Sequence, residues 1–170
     1  MGKVNEVEGH DGQYIELRSK HTGGKFSSGY RGGETRNVLF LTGRELDPTW
    51  LFDNHLNYIR KVTPVKKYRT DDKTSEVVAM YYEYVTVDTN KNGSLDMDDL
   101  LIIAVSNPDG TGFLVLEDSV SSVIDMTLSK DASNLVVLFQ QNGQVVLNNY
   151  DPKTFDIKSS SEILEVSGAS

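Results

Sequence analysis

From residue 37 onward the apolar residues come in short β-branched and aliphatic runs, each closed by turn residues, and this pattern constrains the fold more than any other feature. The runs are Val38 to Leu41, Val77 to Val87, Leu100 to Val105, Phe113 to Leu116, Val123 to Leu128, Leu135 to Phe139, Val145 to Leu147 and a weaker Phe155 to Lys158. Runs of this length with turn chemistry between them are strands, since a helix needs a longer stretch at a period of 3.6. The turns agree. Asn142-Gly143 is a strong hairpin signal, because a type I′ turn needs φ > 0 at both central positions. Asn107-Pro108-Asp109-Gly110 and Asp151-Pro152-Lys153 read as further reversals.

Three strand–turn–strand units follow one plan, at 37–52, 100–116 and 134–151. A repeated hairpin points to an all-β fold of antiparallel hairpins stacked as propeller-like blades, with irregular spacing and hence a degenerate repeat. One stretch has a second reading. Asp47-Pro48 also fits a helix N-cap and first position, with Trp50, Leu51, Phe52, Leu56, Tyr58 and Ile59 along one side, so a short helix over 48–60 is the alternative there. Residues 1–36 hold 8 of the 14 glycines and read as a Gly-rich loop or N-terminal segment ahead of a single β domain at 37–165.

The formal charge of −8 is unevenly spread. Arg18 to Lys73 carries 12 basic and 6 acidic residues, whereas Thr74 to Ser170 carries 4 and 15. Such a chain is a poor partner for nucleic acid, where affinity comes from Lys and Arg displacing counterions from phosphates. The one basic cluster, Arg60, Lys61, Lys66, Lys67 and Arg69 around Pro64, reads either as a contact for an anionic partner or as a solvated turn. No apolar run reaches the roughly 18 residues that a transmembrane helix needs, and the absence of cysteine excludes disulfides, thiolate zinc and thiol catalysis.

The acidic half contains a spacing with chemical meaning. Asp88-Thr89-Asn90-Lys91-Asn92-Gly93-Ser94-Leu95-Asp96-Met97-Asp98-Asp99 fits the calcium loop of EF-hand type, with oxygen ligands at positions 1, 3, 5, 7 and 12 and Gly at 6. A hard divalent cation takes six to eight oxygens at about 2.3–2.6 Å, and a chain coiled round it turns alternate side chains inward. The expected Ca2+ ligands are Asp88, Asn90 and Asn92 by side chain, Ser94 by its carbonyl, Asp96 through water, and Asp99 in place of the usual Glu. Asn at positions 3 and 5 and the short Asp at 12 predict modest affinity. Both flanks read as strands, so the expected ion pins a β connection instead of opening a helix pair.

The segment Tyr84 to Asp99, continued by Leu100-Leu101-Ile102-Ile103-Ala104-Val105-Ser106-Asn107-Pro108-Asp109-Gly110, resembles the strand, calcium loop, strand and "DG" turn of bacterial envelope proteins with TolB-like, WD40-like β-propeller blades. Asn37 to Leu41 with Trp50-Leu51-Phe52 is similar to a neighbouring blade in small bacterial lipoproteins of that kind. The resemblance implies a non-catalytic binding or scaffold protein of the periplasm or cell envelope, with a protein or glycan partner and a signal or lipid anchor outside this segment. With about three blades, it also implies a propeller that is incomplete or closed differently from a six-bladed ring.

Two other classes of function stay open at this stage: a small hydrolase acting on an envelope polymer, and a cytoplasmic adaptor. Enzyme motifs are lacking, with no G-x-S-x-G elbow, no H-E-x-x-H, and His10, His21 and His55 far apart in sequence. Tyr81, Tyr82 and Tyr84 read either as a flat platform for a sugar or peptide or as core, with Tyr82 and Tyr84 on one strand face and Tyr81 on the other.

Overall fold

The structure, a computed structural model, describes residues 4–19, 33–68 and 74–165. Twelve strands run through them: β1 Val4–Glu6, β2 Gly12–Arg18, β3 Thr35–Thr42, β4 Asp47–Trp50, β5 Tyr58–Tyr68, β6 Ser75–Val85, β7 Leu101–Ser106, β8 Leu114–Val120, β9 Ser122–Leu128, β10 Leu135–Gln141, β11 Gln144–Tyr150 and β12 Ile157–Glu165. Every pairing is antiparallel, and the described residues contain no helix.

The strands make an eight-stranded sheet and a four-stranded one, but the larger sheet is two units. β3 pairs β4 over Leu39 to Thr42, whereas it meets β5 only at Thr35↔Ile59. The chain therefore forms three successive four-stranded meanders, β1–β4, β5–β8 and β9–β12, joined at that single pair and at Ser121. This is an open, propeller-like stack of blades, as the hairpin repeat predicts.

Two cores lie between the blades. Val7, Tyr14, Val38 and Phe40 of the first blade meet Ile59, Met80, Tyr82, Tyr84 and Ala104 of the second. Ala79, Tyr81, Val85, Leu101, Ile103 and Val105 of the second meet Leu135, Val137, Phe139 and Tyr150 of the third. β6 is thus covered on both faces, which explains why its sequence is a continuous apolar run and not an alternating one. The three tyrosines are core: Tyr82 and Tyr84 face the first blade, Tyr81 faces the third, and none is more than 5% exposed. That removes the platform reading. The Asn-Pro-Asp-Gly turn also locks blades together, since Gly110 has φ +85 and a Cβ there would lie 2.4 Å from the Phe40 ring.

Three sequence expectations need correction. Residues 4–6 and 12–18 are strands, not loop, because Tyr14 reaches the core and β2 pairs β3 from Gly12 to Arg18; residues 20–32 lie outside the described residues. There is no helix over 48–60: Asp47–Trp50 pairs β3, the Leu51 amide donates to Val38 O at 2.9 Å, and β5 begins at Tyr58. The basic cluster is a strand and not a turn. β5 carries Pro64 opposite Met80 of β6, in a stretch where β3, which meets β5 only at Thr35↔Ile59, leaves the other side of the strand unpaired. Arg60 and Lys61 reach the buried Glu83 at 3.6 and 3.7 Å, and Lys66 pairs with Glu8. Arg69 lies outside the described residues.

Candidate metal centre

The 88–99 loop joins β6 to β7, the two central strands of the middle blade, so both ends are held by well-buried ladders. Within it the Asx side chains turn onto the backbone. The Asn92 amide donates to Asp88 Oδ1 at 3.1 Å and to Asn90 Oδ1 at 2.9 Å, which places those two oxygens around one N–H. Asp88 Oδ2 accepts from Gly93 N at 2.7 Å, and Asn92 Oδ1 from Ser94 N at 2.9 Å. The Asn92 side-chain amide then donates to Asp96 Oδ2 at 3.0 Å. Gly93 sits at φ +89 with open space around its Cα, so the bend is a backbone requirement and not a packing one.

Four of the expected ligands, Asp88, Asn90, Asn92 and Asp96, are thus linked in one hydrogen-bonded group on the exposed side of the loop. Most of their oxygens accept a single bond from an uncharged donor and keep a lone pair free. That donor set suits a hard, oxygen-seeking cation. Ser94 belongs to the same arc, and its amide is held by Asn92.

Asp99 does something else as well. It is 2% exposed, and its Oδ1 accepts from Thr89 N at 2.7 Å, Thr89 Oγ1 at 3.0 Å and Asn90 N at 3.1 Å, while Oδ2 accepts from Asp96 N at 3.1 Å. The carboxylate ties the start of the loop to its end. Burial pushes its pKa up, but the hydrogen bonds from Asp96, Asn90 and Thr89 outweigh that and hold it below the ordinary value. Thr89 completes the clamp by accepting from Leu100 N at 2.9 Å. No group of three or more His, Cys, Asp or Glu side chains gathers as a metal cluster among the described residues.

Residues that the sequence reading did not single out hold the neighbouring connections. Asn37, fully buried, donates its two amide protons to Phe52 O and Asn54 O at 2.8 and 3.0 Å and lies 2.9 Å from His55 Nδ1, pinning the passage from the first blade to the second. A buried Asn within an apolar strand was the signal available. His55 stacks edge-on against Trp50, and His10 Nε2 lies 2.7 Å from Val77 O, so these two have separate structural partners; His21 lies outside the described residues. Among the described residues, the carboxyls with a displaced pKa, Asp99, Asp131 and Asp151, are all held below the ordinary value, for Asp131 and Asp151 chiefly by hydrogen bonds. A surface hollow of about 500 Å³ between β5 and β9 is lined by Thr63 to Tyr68 and Met126 to Lys130, and contains no acid.

No family model matches this chain, and no curated protein matches it. Among solved structures, a luciferin-regenerating enzyme is similar over 95% of this chain and 59% of its own, at 12% identity and a TM-score of 0.43. A nidogen/laminin complex is similar over 92% of this chain and 47% of its own, at 10% identity and a TM-score of 0.39. The chain thus spans less than two thirds of either neighbour, and likenesses this remote say nothing of what it binds or does.

Proposed function

We propose that this chain is a non-catalytic binding or scaffold module of the bacterial cell envelope whose middle blade is stabilised by one Ca2+ in the 88–99 loop. The observation that supports the reading is the gathering of Asp88, Asn90, Asn92 and Asp96 into one hydrogen-bonded group around Gly93. These residues, with the Ser94 carbonyl, would hold the ion. Asp99 would contribute through Oδ2, which accepts one bond, while Oδ1 keeps the clamp on Thr89 and Asn90. The ion supplies positive charge to a loop whose Asp88, Asp96, Asp98 and Asp99 face a single Lys91.

With two neutral Asn ligands and a partly committed Asp99, affinity falls toward that of extracellular modules, a dissociation constant of roughly 10⁻⁴–10⁻³ M. A site of that strength fills where free calcium is plentiful, which is why the envelope setting goes with the reading. The partner, a protein or a glycan, would be met on a surface outside the loop. Calorimetric titration of metal-stripped protein with calcium is the test: one ion per chain, no comparable heat from magnesium, and none from Asp88→Ala. Absence of calcium heat in the unaltered chain would remove the reading.

A further inference from the structure

Asparagine is followed by glycine at two places in this chain, Asn92-Gly93 and Asn142-Gly143, and the fold treats the two steps differently. The pair matters chemically because glycine has no Cβ to keep its amide nitrogen away from the preceding carboxamide carbon, so the backbone can react with its own side chain. At Asn142-Gly143 little stands in the way. The step is the whole loop of the β10–β11 hairpin, with Gln141 and Gln144 paired on either side and the two central residues at φ +52 and +80. Both are exposed, nothing lies within 4 Å of a Cβ built on Gly143, and the Asn142 carboxamide has no hydrogen bond among the described residues.

At Asn92-Gly93 each group that would react is held. Asn92 Oδ1 accepts from Ser94 N at 2.9 Å, Asn92 Nδ2 donates to Asp96 Oδ2 at 3.0 Å, and the Gly93 amide donates to Asp88 Oδ2 at 2.7 Å. Attack requires the carboxamide to turn toward the Gly93 nitrogen and that nitrogen to give up its proton, so these three bonds must open first. Opening of this kind is a local unfolding event of the loop.

We propose that Asn142 is a site of spontaneous deamidation in the folded chain, and that the 88–99 loop shields Asn92 from the same reaction. The Gly143 nitrogen attacks Asn142 Cγ; a C–N bond forms in a cyclic imide, and the side-chain nitrogen leaves as ammonia with the Gly143 proton. Water then adds to either imide carbonyl and opens the ring, and nothing is oxidised or reduced. Cleavage at Cγ leaves aspartate, whereas cleavage at the backbone carbonyl leaves isoaspartate, with the chain running through the side chain. The hairpin receives the two products differently. Asp-Gly suits a type I′ turn as Asn-Gly does, so aspartate adds a negative charge and keeps the register. Isoaspartate puts an extra backbone methylene into a loop whose length sets the register from Gln141↔Gln144 to Phe139↔Val146. Phe139 is fully buried between the second and third blades, and Gln141 Nε2 donates to Asp118 O of the second blade at 2.6 Å, so a shifted hairpin disturbs that contact.

The test is peptide mapping by mass spectrometry of the full chain, aged at neutral pH in calcium-free buffer so that the result does not depend on the ion. Fragmentation separates aspartate from isoaspartate, and the same chain unfolded in urea gives the rate of each step without restraint. Three bonds broken before attack should hold Asn92 back roughly a hundredfold against Asn142 in the folded chain, while in urea the two should convert at similar rates. An Asn142 that stays intact in the folded chain overturns the site. An Asn92 that converts as fast as Asn142 there overturns the shielding. Asp88→Ala frees the Gly93 amide and should speed conversion of Asn92 with Asn142 unchanged, and no acceleration means that the loop bonds are not the shield. If that variant does not fold, the ratio of folded to urea rates in the unaltered chain still decides. The isoaspartate form should melt below the unaltered chain, whereas Asn142→Asp, which carries the other product from the start, should melt with it. Equal melting of all three would overturn the effect on register.

Discussion

Two Asp-centred connections in this protein use the same hydrogen-bond chemistry to different ends. Between β9 and β10, Asp131 accepts from the Ser129 hydroxyl at 2.6 Å and from the Ser133 amide and hydroxyl at 3.1 and 2.8 Å. Ser129 Oγ in turn accepts from the amides of Ser133 and Asn134, and Lys158 Nζ caps the Ser133 carbonyl at 2.7 Å. One carboxylate and two hydroxyls close the turn, and its own Lys130 matches the charge of Asp131. The β6–β7 loop is equally well bonded, but it holds four carboxylates against one lysine. Hydrogen bonds satisfy geometry in both connections and charge in only one. That surplus of like charge is what the proposed ion would offset in the β6–β7 loop, and the 129–134 turn has none to offset.

The sharpest way to break the comparison is Asp99→Ala. It strips the acceptor from Thr89 N, Thr89 Oγ1, Asn90 N and Asp96 N at once, and an unmet donor costs more than a made bond contributes. The melting temperature should fall further than for any other change proposed in either loop, with or without calcium. A fall no larger than that of Asp131→Ala would mean that the clamp is dispensable. Next comes the ion itself. Calcium at a hundred times its dissociation constant adds about 2.7 kcal/mol to a native-only site, or about 5–10 °C for a chain of this size. Thermal melts should show that rise in the unaltered chain and in Asp131→Ala, and none in Asp88→Ala. A calcium-dependent rise that survives Asp88→Ala places the ion elsewhere.

How much of this was legible in sequence follows from the same physics. The hairpins at 37–52, 100–116 and 134–151 could be read because each has a continuous run, a turn and a second run; Asn142 and Gly143 both take positive φ, as a type I′ turn demands. The hairpin with the most paired residues, β5 with β6, was invisible in its first strand. Bulges at Ile59/Lys61 and Val65/Lys66 break the period of two, and Pro64 with four basic residues imitates a turn. β2 was missed because Tyr14 faces the core while Ile15 and Leu17 face outward, so no polar alternation marks it. At the loop, the spacing located the Asx group but not the duty of Asp99. A carboxylate at position 12 looks the same in sequence whether it turns to an ion or to the backbone.

Acid should separate the two connections by a smaller margin. The Ser129 hydroxyl and then the Ser133 hydroxyl and amide pull Asp131 down to about 2, and Asp99 is also held below its ordinary value. A carboxyl depressed in the folded state contributes stability that is complete above its unfolded pKa, 3.8, and is lost as pH falls through its folded value. Melting temperature should therefore decline between about pH 4 and 2, and Asp131→Asn should flatten part of that decline. In acid calcium should cease to raise it, because a cation held by carboxylates needs them ionised. A calcium effect undiminished at pH 3 would show that carboxylates do not hold the ion.

The smallest test concerns backbone alone. In the β6–β7 loop the sharpest positive φ falls on Gly93, where nothing is strained, although Lys91 takes φ +59 nearby. In the β9–β10 turn the left-handed position falls on Ala132, at φ +54. An L residue with a Cβ pays roughly 1–2 kcal/mol there, while glycine surrenders roughly 0.5–1 kcal/mol of unfolded-chain entropy in return. Ala132→Gly should then stabilise by about 0.5 kcal/mol, the difference of the two. Gly93→Ala should destabilise by about 0.5 kcal/mol by the same difference, with no clash added, since no atom lies within 4 Å of the added Cβ. If the loop closes round an ion, Gly93→Ala should also weaken calcium binding, because the bend that brings Asp88 to the Gly93 amide is the bend that gathers the ligands. Equilibrium unfolding with and without calcium reads both terms. A penalty for Gly93→Ala that is identical in the two conditions would mean that the bend serves the fold and not the ion.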